Sequence, residues 1–167
     1  MPLSFLPRHI YPALTAIDPA RLASEGVRLL MLDFDNTIVP YTTNDPTEEM
    51  HAWLKRAAES EIQICVVSNS KRGRVVEFCD KYGIDCITHA KKPFSRGIRA
   101  CLRRYETEPR RAALVGDQIY TDVLGANCAG VRSILIPAIH NHNIWLKLRH
   151  VAELPFIWLA GGRREGE

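Results

Sequence analysis

The 167-residue sequence contains no run of about 18 apolar residues, the length a helix needs to span a bilayer, so a membrane-crossing helix is not expected. Its five cysteines, Cys65, Cys79, Cys86, Cys101 and Cys128, show no CxxC spacing, and their odd number does not suit a closed disulfide framework. Most stand in apolar stretches where a small buried hydrophobe fits, which points to a reducing compartment. Internal repeats and low-complexity tracts are missing too, which removes solenoid and disordered architectures. Charge of one sign is scarce: 22 Lys and Arg against 19 Asp and Glu leave +3, too little to announce a nucleic-acid partner, and no specific nucleic-acid binding is expected. Lys91, Lys92, Arg96, Arg99, Arg103, Arg104, Arg110 and Arg111 crowd one stretch and are read as a solvated basic face, with a surface that attracts anionic substrates or lipids as the alternative. Three prolines interrupt the opening MPLSFLPRHIYPALTAI, which lacks the apolar core and cleavage site of a secretory signal. A cytoplasmic protein is expected, peripheral to a membrane at most.

What is present reads as one domain over residues 1–167, with 46% hydrophobic and 25% charged residues as in ordinary globular chains. Apolar strand-like runs alternate with helical patterns. Asp18, Pro19 and Gly26 bracket a short helix, and VRLLMLDFD follows as a buried strand ending in acid. A helix is expected from Asp45, with Pro46 in its first turn, Glu48 completing a capping box, and Met50, Trp53, Leu54, Ala57 and Ala58 inward. IQICVVS is a second strand, followed by a helix from about Ser70 to Gly83, and CIT is a third strand. Pro93 opens a helix with Phe94, Ile98, Leu102 and Tyr105 on its inner side; AALVG, a helix over 121–130 and SILI complete the series. This alternation predicts an α/β fold, a Rossmann-like three-layer α/β/α sandwich with a mainly parallel sheet.

In such sheets ligands bind beyond the carboxyl ends of the strands, where Asp33, Asp35, Ser68, Lys92 and Asp117 all fall. On a regular strand Asp33 and Asp35 would point the same way, a costly pair of like charges unless a cation intervenes. Asp117 and Asp122 add carboxylates, and an oxygen-only ligand set suits Mg2+. With the cation screening its charge, Asp33 can approach a phosphorus atom as nucleophile. Asp35 is placed to protonate the leaving oxygen and then to activate water. Ser68, with Asn69 beside it, and Lys92 are the candidate phosphate contacts, Lys92 also neutralising charge as the transition state forms.

DFDNT, VVSNS, KKP and GDQIYTD, in this order and each at a strand end, resemble the four motifs of the haloacid dehalogenase (HAD) superfamily, subfamily IIIA. The resemblance implies that Asp33 is the nucleophile of an aspartyl-phosphate mechanism and Asp35 the acid and base. It also implies that Asp33, Asp117 and the main-chain carbonyl of Asp35 hold magnesium, with Asp122 nearby. The short connections from Thr37 to Ser68 and from Ser68 to Lys92 leave no room for the cap domain many family members carry. DFDNTIVPY, SNS, KKP and GDQIYTD are further similar to the YqeG-like branch, which includes phosphatidylglycerophosphate phosphatases. A phospholipid head group is the substrate this implies; a soluble phosphometabolite, a nucleotide or a phosphoprotein is the alternative within the enzyme class.

A phospho-acceptor signalling domain is the rival of a different class, since it too uses an aspartate, a hydroxyl, a lysine and magnesium on a parallel sheet. Asp35 argues against it, because a proton donor two residues beyond the nucleophile serves turnover. His140 and His142 lack a Cys or acidic partner and are not read as a zinc site. The tail from Ile144 to Leu159, with Trp145 and Trp158, suits packing on the core, a second copy in a homo-oligomer, or peripheral membrane contact.

Overall fold

A computed structural model describes residues 4–70 and 72–139. Expectations about the tail from His140 onward lie outside the described residues. Six parallel strands form one open sheet: β1 (His9–Ile10), β2 (Leu29–Leu32), β3 (Gln63–Val67), β4 (Asp85–Ile87), β5 (Ala112–Gly116) and β6 (Arg132–Leu135), in the order β1-β6-β5-β2-β3-β4. β2 is central, its Leu32 in register with Val66 on one side and Val115 on the other. The helices are α1 (Pro19–Ser24), α2 (Glu48–Ala58), α3 (Arg72–Tyr82), α4 (Arg96–Arg104) and α5 (Leu124–Ala129).

Strand side chains alternate between faces, and the two faces are covered by different helices. Leu30, Leu32 and Val66 bury against Leu22 of α1, Met50, Trp53 and Leu54 of α2, and Val75 and Phe78 of α3. Leu29, Met31, Cys65 and Val67 bury against Ile98, Cys101 and Leu102 of α4 and Ala126 and Ala129 of α5. The result is the expected Rossmann-like three-layer sandwich. Trp53 is fully buried, and its indole N–H donates to the Ile17 carbonyl at 2.7 Å, tying α2 to the turn that precedes α1.

Several local expectations are corrected. β1, in the proline-interrupted opening, pairs with β6 and was not anticipated. α2 is capped by Thr47, whose hydroxyl accepts from the Met50 N–H, so Asp45 and Pro46 precede the helix and Ala58 is exposed. Phe94 is 73% exposed, because residues 91–95 turn before α4 begins at Arg96 and the Phe94 N–H donates to the Lys91 carbonyl. The segment expected as a helix over 121–130 starts earlier, as one π turn (Ile119–Val123) running into α5, and closes on left-handed Gly130. Among the described residues no helix is long and apolar enough to cross a membrane.

Candidate active site

β2 ends at Leu32, and the chain leaves the ladder through Asp33 into a tight turn. Asn36 organises that turn from the left-handed region (φ 59°), which asparagine tolerates better than most residues. Its N–H donates to Val39, its side-chain oxygen accepts from Tyr41, and its carbonyl accepts from Ile139. Asp33 is thereby set just beyond the centre of the sheet. Ser68 follows β3, Asp117 follows β5, and the turn after β4 delivers Lys92, so one rim collects them all.

Asp33, Ser68, Lys92, Asp117 and Asp122 are all buried. Lys92 Nζ lies 2.6 Å from Asp33 Oδ1 and 2.7 Å from Asp122 Oδ1, bridging two carboxylates. Carboxylate oxygens of Asp33, Asp117 and Asp122 fall within 4.8 Å of one another, and Asp117 Oδ1 is buried with no hydrogen-bond partner among the described residues. Asp122 reaches the group from the π turn, its Oδ2 accepting from the Gln118 N–H at 3.1 Å. Gly116 makes room for it, since a methyl group there would overlap the Asp122 carboxylate. Gly97 similarly lets α4 pack under the turn before Lys92, where an added Cβ would stand 2.7 Å from the Ala90 main chain.

The crowding has electrostatic consequences. Burial, opposed by Lys92 and assisted by Asp122, pushes the Asp33 carboxyl up to about 7. Burial together with the Asp122 and Asp33 charges pushes Asp117 up to about 8. Burial alone would discharge Lys92, but the Asp122 and Asp33 carboxylates more than reverse this and hold its ammonium above the ordinary range. Ionising all three carboxylates beside a single ammonium would leave an excess of negative charge, which is why Asp33 and Asp117 hold their protons. A hard divalent cation in their place would fit both the oxygen ligands and the orphaned Asp117 oxygen.

Asp35 behaves differently from the sequence expectation. The strand is not regular past Leu32, and the Asp35 carboxylate lies outside the acidic cluster. Ser70 Oγ donates to its Oδ2, and Arg74 Nη1 donates to its Oδ1 at 2.5 Å. Asn69 is likewise occupied: its side-chain amide accepts from the Lys92 N–H at 2.8 Å and donates to the Lys92 carbonyl at 2.9 Å. The Asn69 side chain thus fixes the main chain of Lys92. The Ser68 hydroxyl accepts from the Ser70 N–H at 3.0 Å, which leaves its proton free to be donated. Ser70 and Arg74 were not picked out from the sequence. Ser70 sits inside the SNS run, but nothing in the spacing marks Arg74.

The family profile described as HAD-hydrolase-like matches residues 89–138, which hold the Lys92 and Gly116–Asp122 segments. A Bacillus subtilis protein named "Probable phosphatase YqeG" is 32% identical over 132 residues, 79% of this chain and 77% of its own length. The chain belongs to the haloacid dehalogenase superfamily, in its YqeG-like branch of phosphatases. Among solved structures, the cobalt-bound deoxy-D-mannose-octulosonate 8-phosphate phosphatase of Haemophilus influenzae superposes with a TM-score of 0.55 at 12% identity, covering 82% of this chain and 91% of that one. A haloacid dehalogenase-like hydrolase from Bacteroides fragilis gives 0.53 at 14% identity, with 70% and 90% covered. These two likenesses concern the fold. As a HAD-family phosphatase, the protein is an enzyme and not the signalling domain that its acidic rim also suggested.

Proposed function

We propose that this phosphatase is magnesium-dependent and cleaves phosphate monoesters through a phosphoryl group carried on Asp33, the reading best supported by Lys92 spanning Asp33 and Asp122 at 2.6 and 2.7 Å beside the unpartnered Asp117 oxygen. Asp33 and Asp117 would hold the magnesium ion with the Asp35 main-chain carbonyl, Asp122 acting beside it through Lys92. The ion, when bound, offsets the carboxylate charge and polarises the phosphoryl oxygens.

Asp33 attacks phosphorus, the bond from phosphorus to the ester oxygen breaks, and the departing oxygen takes a proton from Asp35. Water then attacks the phosphorus of the acyl phosphate, gives its proton to Asp35, and releases inorganic phosphate with Asp33 restored. The Ser68 hydroxyl donates to a phosphoryl oxygen, and Lys92 balances the charge that builds on phosphate and nucleophile together.

The substrate we propose is a phospholipid head group of the phosphatidylglycerophosphate type. Tyr41, Phe94 and Ile139 are exposed, and each belongs to a segment that builds the site: Tyr41 and Ile139 are bonded to Asn36, and Phe94 stands two residues beyond Lys92. Exposed apolar side chains on segments that build a site for an anionic group suit a phosphate that projects from a lipid surface. The test is phosphate release with magnesium from phosphatidylglycerophosphate in mixed micelles, beside sugar phosphates, nucleotides and a phosphopeptide. The lipid should be hydrolysed fastest, and Asp33→Asn should lose at least about 10³-fold in kcat. Faster turnover of any soluble ester would remove the lipid reading, and unchanged turnover by the variant would remove Asp33 as nucleophile.

A further inference from the structure

Among the described residues, Arg74, on the first turn of α3, is a strongly bonded cation beside the site that the mechanism above leaves without a task. Its side chain is only 24% exposed, and its partners come from two places. Nη1 holds Asp35 Oδ1 at 2.5 Å. Nη2 donates to the Pro40 carbonyl at 2.6 Å and also to the Thr43 carbonyl, and Nε donates to Asn44 Oδ1. The guanidinium also lies 5.1 Å from the centre of the Phe34 ring and 5.8 Å from that of Tyr41. A planar fork with five donors meets this set of acceptors at once; an ammonium on a flexible stem does not.

From this geometry we infer that Arg74 is a positioning residue for proton transfer by Asp35, clamping one edge of its carboxylate to the 40–44 loop and directing the other edge at the ester oxygen. Arg74 donates and cannot accept, so the oxygen it holds is not the one that carries a transferable proton. Asp35 Oδ2 is left for that purpose. Ser70 Oγ donates to one lone pair of that oxygen, and the second lone pair is left to carry the proton toward the ester oxygen. The same guanidinium that aims Asp35 also anchors the loop bearing Tyr41, and this couples the shape of the open rim to the direction of the acid.

The inference rests on the proposed role of Asp35, so its test must separate the two. Phenyl phosphate and 4-nitrophenyl phosphate present the same ring but differ in how readily the ester oxygen departs without a proton. A residue acting through the general acid matters more for phenyl phosphate; one that only supports the fold affects both alike. Arg74→Met should lower kcat/KM for phenyl phosphate about tenfold more than for 4-nitrophenyl phosphate, as should Asp35→Asn. Combining the two should bring little further change in that ratio, because both act at one step. Arg74→Lys, which keeps the charge but cannot span all the acceptors, should fall between wild type and Arg74→Met and serves where the methionine variant folds poorly. Equal losses on both esters in the Lys and Met variants, while Asp35→Asn still discriminates, would overturn the role of Arg74 and leave the mechanism standing. No discrimination by Asp35→Asn would remove the acid role, and the inference with it.

Discussion

At the residue scale, Lys92 shows how one side chain's function depends on where a second charge sits. Bonded to Asp33 alone, its ammonium would neutralise the carboxylate proposed as nucleophile and blunt its attack. Asp122 draws on the same ammonium from the other side, so Lys92 is shared, and its own charge is secured despite burial. Asp122→Asn should therefore lower kcat by roughly 10²-fold while leaving an assembled site, and cost about 3 kcal/mol of stability by uncoupling a buried ion pair. Gly116→Ala should produce a loss of the same kind, because its methyl group displaces the Asp122 carboxylate from that place. Steady-state kinetics beside urea unfolding checks both. Wild-type turnover in Gly116→Ala would mean that the position of Asp122 has no bearing on Lys92.

At the element scale, the sheet was legible because burial on both faces leaves continuous apolar runs such as LLML and AALVG, and acids at their ends stand out. The site was legible for the same reason: Asp33, Ser68, Lys92 and Asp117 are local in sequence to strand termini. What could not be read depends on tertiary contact. The two-residue β1 exists only because β6 offers it an edge, and Arg74 finds Asp35 across a distance in sequence that no pattern encodes. Phe94 looked like a core residue on a helical period, but the turn that presents Lys92 delays α4 and turns that side chain out. α2 starts later than the Asp45 expected from sequence, because Thr47, a residue type equally suited to the position, makes the cap. The hydroxyl of Thr47 reaches the Met50 N–H at 3.2 Å, so Thr47→Ala should cost about 1 kcal/mol in chemical denaturation, whereas Asp45→Ala should cost little. The reverse ranking would place the helix start at Asp45.

At the scale of the whole molecule, the fold gathers and buries like charges at one rim of the sheet. Without a cation, the Asp33 and Asp117 carboxyls keep their protons up to about 7 and about 8, against an ordinary value of 3.8. At these two groups the folded state then binds more protons than the unfolded chain, so their contribution to stability is fully present near pH 4 and is lost as the pH rises toward about 8. A divalent cation held by these carboxylates would bind them ionised and release those protons, so its stabilising effect should grow over the same window. Thermal unfolding of metal-free protein should thus show Tm declining toward pH 8, and saturating magnesium should raise Tm more at pH 8 than at pH 5. Asp117→Asn removes both a titrating group and the unpartnered oxygen. It should flatten the metal-free decline and abolish most of the magnesium-induced rise. A rise in Tm of equal size at the two pH values, or one that survives in Asp117→Asn, would place the cation somewhere other than among these carboxylates.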